Sequence, residues 1–266
     1  LPANIIDKVK VVERKSDQAR FTGIDDGNEE TVIDLSIRPG MMNGWFGNAT
    51  AGYGSEDRYQ AAGMISNFKK TSQLSLIING NNTNNRAFSD IAGDMMRGMR
   101  GGGSFGGGGR IRIGGNTINF GGSGITTSWM GGITANKEFL EGKLKVGSNY
   151  FYGSTENVSE GSRVRQNFLP GGSFFNRDSS HNQNTSGNHR VALEMEWAPS
   201  ETTSFIFRPN VSLGYGSFDD KRYFLTDSLN GTKINDGYSR SYGDNNSQST
   251  EGELLYRQRL GKPGRT

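Results

Sequence analysis

The sequence predicts an all-β protein: an antiparallel meander of about eight strands, part of a larger transmembrane β-barrel, preceded by the remnant of a small α/β domain. Three observations predict it. Apolar and polar residues alternate over runs of about ten residues or more, the length needed to cross a bilayer at a tilt. Short polar turns alternate with long polar stretches, a rhythm that repeats three times. The composition is poor in apolar residues (32%) and Pro (6) and rich in Gly (40). That balance suits strands and polar loops better than a helical core. The 15 Phe, 9 Tyr and 3 Trp fall in alternating runs, which argues against disorder.

The elements follow in order. "NIIDKVKVVE" and "TVIDLSIRPG" are two strand-like runs flanking the charged connector "RKSDQARFTGIDDGNEE", all within residues 1–40. The strands of the meander occupy 41–266. Trp45, Ala49, Ala51 and Tyr53 share one face, with Asn48 and Thr50 on the other. After "SED", Tyr59, Ala61, Gly63 and Ile65 oppose Gln60 and Ser66. The turn "FKKTSQ" leads to Leu74, Leu76 and Ile78. Ile125, Trp129 and Ile133 oppose Thr126, Ser128 and Thr134; beyond "NKEFLEGK", Leu144, Val146, Tyr150 and Tyr152 oppose Lys145 and Asn149.

The cleanest pair surrounds "APSETT". Val191, Leu193, Met195 and Trp197 alternate with Arg190, Ala192, Glu194 and Glu196. Phe205, Phe207, Val211, Leu213 and Tyr215 then oppose Arg208, Asn210 and Ser212. Leu254, Tyr256 and Leu260 oppose Glu253 and Arg257 before the last turn-like run, "RLGKPGRT". The stretches 83–122, 154–186 and 217–250 are expected as long polar loops.

A soluble β-sandwich also alternates, but its strands are shorter and its turns lack this asymmetry. In a membrane barrel the apolar face meets lipid, the polar face meets a wet lumen, and short periplasmic turns oppose long external loops. Glu194, Glu196 and Arg208 are then expected on the lumen side. Trp45, Tyr53, Tyr59, Trp129, Tyr150, Tyr152 and Trp197 are expected in interfacial girdles.

Several function classes fall away. The absence of Cys excludes disulfides, thiolate metal sites and cysteine catalysis. A net charge of +3 with interspersed signs gives no nucleic-acid footprint. No run approaches a spanning helix, and no signal peptide is visible. The chain opens at Leu1 inside a strand-like run, which reads as a segment of a longer protein.

The Gly-rich run 101–109 lacks the Lys-Ser/Thr of a phosphate loop and reads as a flexible loop. Asp25–Glu30 lacks calcium-loop spacing and reads as a solvated turn. His181 and His189 read as exposed loop histidines. Asn81, Asn157, Asn184, Asn210 and Asn230 begin Asn-X-Ser/Thr triplets, which arise by chance in so Asn-rich a chain. No nucleophile elbow or zinc motif is present, so no catalytic residue, cofactor or metal is expected. The ligand-contact candidates are loop aromatics: Phe168, Phe174, Phe175, Phe218 and Tyr223, with Phe224 beside them.

Taken together, these residues resemble TonB-dependent-receptor-like outer-membrane proteins. "LPANIIDKVKVVERKSDQARFTGIDDGNEETVIDLSIRPG" is similar to the end of their plug domain. "GWFGNATAGYGSEDRYQAAGMISNFKKTSQLSLIINGNNTNN" resembles their opening barrel strands. "GGGSFGGGG" and "GNTINFGGSGITTSWMGGITANKE" resemble a first external loop and its return strand. The resemblance spans the chain and is most specific over 1–80 and 114–138. It implies a barrel of about 22 strands with a plug inside, located in the outer membrane of a Gram-negative bacterium. It also implies energised uptake of a bulky nutrient (an oligosaccharide, peptide or metal chelate) and no enzymatic activity. The implied partners are outer-membrane lipid, the TonB complex through a more N-terminal part, and a surface lipoprotein. A small outer-membrane barrel serving as adhesin or structural anchor is the alternative. A barrel protease or lipase would need an acid–base constellation that these residues do not provide.

Overall fold

The computed structural model describes residues 6–22, 24, 27, 29–37, 43–84, 104–106, 110–113, 116–119, 123–170 and 172–260. Two strands, β1 (Ile6–Lys15) and β2 (Glu29–Ile37), pair antiparallel, and a short helix α1 (Asp17–Thr22) lies between them. Ser16 caps α1: its Oγ accepts from the Ala19 amide at 2.9 Å, meeting one of the donors that a helix start leaves open.

The rest is dominated by one antiparallel sheet of eight strands. They are β3 (Gly44–Tyr53), β4 (Tyr59–Lys69), β5 (Ser72–Asn81), β9 (Ile125–Phe139), β10 (Leu144–Asn167), β11 (Phe174–Ser200), β12 (Thr203–Ser228) and β13 (Lys233–Gln258). Each pairs with its predecessor in the sheet, so the predicted meander of eight strands is present. Strands β3 and β13 are its two edges.

Between β5 and β9 three short strands, β6 (Ser104–Gly106), β7 (Arg110–Ile113) and β8 (Asn116–Asn119), form a separate small sheet. Asn84 closes the neck of this insertion. Its Nδ2 donates to the Gly124 carbonyl at 2.8 Å, and its Oδ1 accepts from the Thr126 amide at 2.7 Å. Of the Gly-rich run, 104–106 form β6 and the remainder lies outside the described residues, as do Asp25, Asp26 and Asn28 of the run Asp25–Glu30, whose Glu29 and Glu30 open β2.

Two of the three expected long loops are corrected. The stretches 154–186 and 217–250 are mostly ladder, not loop. β10 and β11 stay in register from Leu144–Trp197 out to Asn167–Phe174, and β12 and β13 from Thr203–Gln258 out to Thr226–Asn235, with a register shift before the last pair, Asp227–Lys233. The connections shrink to residues 168–173 and 229–232. Both faces are polar there, so hydropathy alternation disappears while backbone pairing continues.

One interior position departs from strand chemistry. Pro209 lies within β12 and has no amide to donate. The β11–β12 register is continuous to Ala192–Asn210 and resumes at Met195–Phe207, leaving a gap beside Pro209.

Glycines seat aromatic rings across the ladder. A Cβ at Gly80 would lie 2.5 Å from the Trp129 ring, at Gly187 2.2 Å from Tyr215, and at Gly237 2.5 Å from Phe224. Such pairs pin register, since only a bare Cα leaves room for the neighbouring ring. Gly124 is more demanding. Its φ is +89° and a Cβ there would lie 2.2 Å from the Val158 carbonyl oxygen. Gly124→Ala is therefore expected to cost about 1–3 kcal/mol, read as a lower midpoint of denaturant unfolding.

Candidate functional site

The two faces of the sheet differ in an unusual way. Its exposed side chains include many large apolar ones: Trp45, Tyr53, Ile65, Leu74, Leu76, Ile78, Trp129, Ile133, Val191, Leu213 and Leu254. The register puts all of these on one face. The buried side chains of the sheet lie on the other face, and most are polar. Asn188 is 0% exposed, Thr126 and Ser212 1%, and Arg190 5%. Ile77, Met130, Phe151 and Ile206 are the apolar minority there. Burial is thus inverted relative to a soluble core. Side chains crowd on the polar side and splay on the apolar side, as on a sheet curled toward its polar face.

The apolar face is bounded by aromatic rows. At the short-turn end Trp197 stacks on Phe205 and Phe205 meets Tyr256 at a tilt, a row across three strands with centroids 5.4 and 5.0 Å apart. Toward the other end Tyr59 meets Trp129 at 6.0 Å. His189 there sits among Tyr150, Tyr152 and Tyr215. Tyr150 Oη is 2.9 Å from His189 Nδ1, and the Tyr152 and Tyr215 hydroxyls are 3.1 Å apart. From β10 to β13 no Asp, Glu, Lys or Arg lies on this face between the Leu144–Trp197–Phe205–Tyr256 row and the Tyr152–His189–Leu213–Gln248 row. From Phe205 to Tyr215 the chain advances about 33 Å along the strand, or about 25 Å along a barrel axis at a tilt of about 40°. That is the height of the apolar band of an outer-membrane barrel.

Opposite this band lies a charged network. Arg208 Nε donates to Glu194 at 2.8 Å, Nη1 to Glu253 at 3.1 Å and Nη2 to Glu196 at 3.3 Å. One guanidinium so ties three strands. Arg190 Nε donates to Asn210 Oδ1 at 2.9 Å. Toward the long hairpins this face becomes uncharged and amide-rich. Asn188 and Ser212 bond reciprocally, Thr155 meets Ser186 at 2.9 Å, and Asn157 donates to Thr126 at 2.9 Å. Asn79 Nδ2 and Asn81 Oδ1 are buried there with no partner.

Beyond the aromatic rows the hairpins continue for about 40 Å, and charge now appears on the formerly apolar face. Arg177 pairs with Asp227 at 3.1 Å and Arg240 with Asp219 at 2.8 Å, and His181 Nδ1 lies 3.1 Å from a Glu160 carboxylate oxygen. Hydrogen bonds from Arg240 and then Lys221 hold the Asp219 carboxyl at about 2, below its ordinary 3.8. A depressed folded value means that its contribution is present above pH 3.8 and is lost as pH falls through about 2. Wild type and Asp219→Asn are expected to differ in unfolding midpoint above pH 4 and to converge near pH 2. The difference should shrink in salt, because the pair is exposed.

The sequence-predicted site residues scatter. Phe168 is 76% exposed in the turn between β10 and β11. Phe174 and Phe175 open β11 on opposite faces, with Arg177 5.4 Å from the Phe175 ring centre. Phe218 lies on the polar face over Gly243, and Tyr223 on the other face, bonded to Asp236 at 3.3 Å. They form no single cluster. Neither histidine is a loop residue, which corrects that expectation: both lie within β11, His181 in hydrogen-bond contact with Glu160 and His189 in the tyrosine cluster. Among the described residues no three His, Asp or Glu side chains converge as metal ligands.

The polar-face position of Glu194, Glu196 and Arg208 was legible from alternation. Glu253 as the third carboxylate on Arg208 was not, because it needs the β12–β13 register. No family model, no curated protein and no solved structure matches this chain.

Proposed function

We propose that the eight-stranded sheet is a sector of an outer-membrane β-barrel, with its apolar face in lipid and its polar face lining a wet lumen. The inverted burial carries this reading. An apolar face about 38 Å wide and 25 Å high far exceeds the patch of about 300–600 Å² that a soluble monomer exposes. A barrel wall is also the only sheet that leaves no unpaired edge in lipid. The short turns then face the periplasm and the long hairpins project outside.

The protein is a TonB-dependent-receptor-like importer of a bulky nutrient, an oligosaccharide, peptide or metal chelate, and not an enzyme. The N-terminal unit of β1, α1 and β2 is the end of a plug, and TonB and a surface lipoprotein are its partners. This part rests on the sequence resemblance. A small barrel acting as adhesin or anchor has the strand count in its favour. Closing it would pair the 10-residue β3 with the 26-residue β13. Most of the β13 edge would stay open, which favours a larger barrel.

The test is growth on candidate ligands by cells carrying the complete gene, with and without a working TonB system. Import predicts growth that needs both. Growth unchanged by deleting the gene would favour the anchor, and turnover of a substrate by purified protein without TonB would favour an enzyme.

A further inference from the structure

The apolar face carries a trough at its β3 end. Gly47, Ala49 and Gly63 form the floor, Ile65 and Ile78 one wall, and Trp45 bounds the short-turn end. The space measures about 490 Å³. Gly47 is bare for a backbone reason: a Cβ there would strike the Met64 carbonyl. Gly63 has no such reason. A Cβ there would meet Ile78 at 3.6 Å, an ordinary contact, and its backbone is not left-handed. A strand-interior glycine that neither turn nor packing requires marks a place where another molecule comes close. From Trp45 to Ala51 the floor runs about 20 Å along β3, or about 15 Å along a barrel axis at a tilt of about 40°. That is the depth of one leaflet of a hydrocarbon core about 30 Å thick.

Charge sits at one mouth of this trough. Among the described residues, the apolar face of β3, β4, β5 and β9 carries two charged side chains, Lys69 and Lys137. Both pair in register with Ser72, so they stand in one row, two strand spacings or about 9.6 Å apart. The row next to it holds Trp45, Asn67 and Leu74. Lys137 is held on this face, its Nζ 4.8 Å from the centre of the Phe139 ring. The far end of β3 carries carboxylates: the Tyr53 hydroxyl donates to Asp57 at 2.6 Å, beside Glu56.

We propose that this trough binds one anionic diacyl phospholipid of the periplasmic leaflet, with an acyl chain over Gly63 and the phosphate between Lys69 and Lys137. The site rests on the barrel reading, which puts this face in lipid and the short turns in the periplasm. Any acyl chain of the right length fills the trough, so selectivity comes from the head group. Two lysines beside one phosphate favour a lipid whose head group carries no ammonium of its own. A lipid of the opposite leaflet, with its phosphate at the Tyr53 end, would meet Asp57 and Glu56 instead.

Native mass spectrometry of the purified full-length protein in detergent reads which lipids it retains. Phosphatidylglycerol and phosphatidylcholine of matched chains are the probes. The expected result is one phosphatidylglycerol held in preference to phosphatidylcholine. Lys69→Gln with Lys137→Gln should weaken its retention about thirty-fold, while Lys143→Gln in the next short turn should not. Gly63→Leu fills the trough and should release the lipid although both lysines remain. Equal retention of the two lipids by the parent overturns the site. So does a preference that survives loss of the lysine pair or Gly63→Leu, or that Lys143→Gln weakens equally. The period-two labelling of β11 described below reports the barrel independently. An intact labelling pattern with equal retention overturns the lipid site alone. A lost pattern overturns the barrel and the lipid site with it.

Discussion

Val191→Arg is expected to cost about 2–4 kcal/mol of folding stability in a bilayer, enough to deplete the protein from the outer membrane. Val191 lies mid-band on the apolar face and is 49% exposed. In water a half-exposed Val tolerates Arg within about 0.5 kcal/mol. In lipid the same position must strip a guanidinium of its hydration. Ala192→Arg, one residue on, points to the polar face and should cost much less. The measurement is folding of both variants into lipid vesicles, followed by denaturant titration. Equal, small effects at both positions would place the apolar face in water.

Arg208→Met is expected to have the second largest effect, about 1–3 kcal/mol. It keeps the aliphatic stem and leaves Glu194, Glu196 and Glu253 facing one another without their shared cation. The magnitude falls between exposed and buried pairs because Arg208 is 19% exposed and its partners more so. Adding Glu194→Gln in the Met background should recover part of the loss, since fewer like charges remain. A double-variant cycle on unfolding midpoints reads the coupling. An Arg208→Met protein as stable as the parent would mean the network contributes nothing to the sheet.

These effects also show where the sequence was readable. Between Leu144 and Tyr152, or Val191 and Trp197, each residue has one apolar and one polar side to choose from. The two-residue period therefore identified strand, face and turn together. Past Tyr215 the environment is the same on both sides. Asp219, Lys221 and Tyr223 on one face look no different in polarity from Asp220 and Arg222 on the other. Only backbone pairing shows that β12 continues to Ser228. The scattered aromatics were misleading for a related reason. Phe218 and Phe224 read as free loop side chains, yet they fill the space over Gly243 and Gly237 one strand away. The hydrogen bond from Arg259 to the Phe21 carbonyl joins residues 238 positions apart, a separation at which no local pattern carries information.

The most direct test of the central claim is the period of aqueous access along β11. Single cysteines at Val191, Ala192, Leu193, Glu194 and Met195 would be introduced into the full-length protein in the outer membrane. A water-soluble maleimide would then be applied after opening the outer membrane. The barrel predicts that Ala192→Cys and Glu194→Cys label, while Val191→Cys, Leu193→Cys and Met195→Cys resist until the protein is denatured. Labelling at similar rates at all five positions would contradict it.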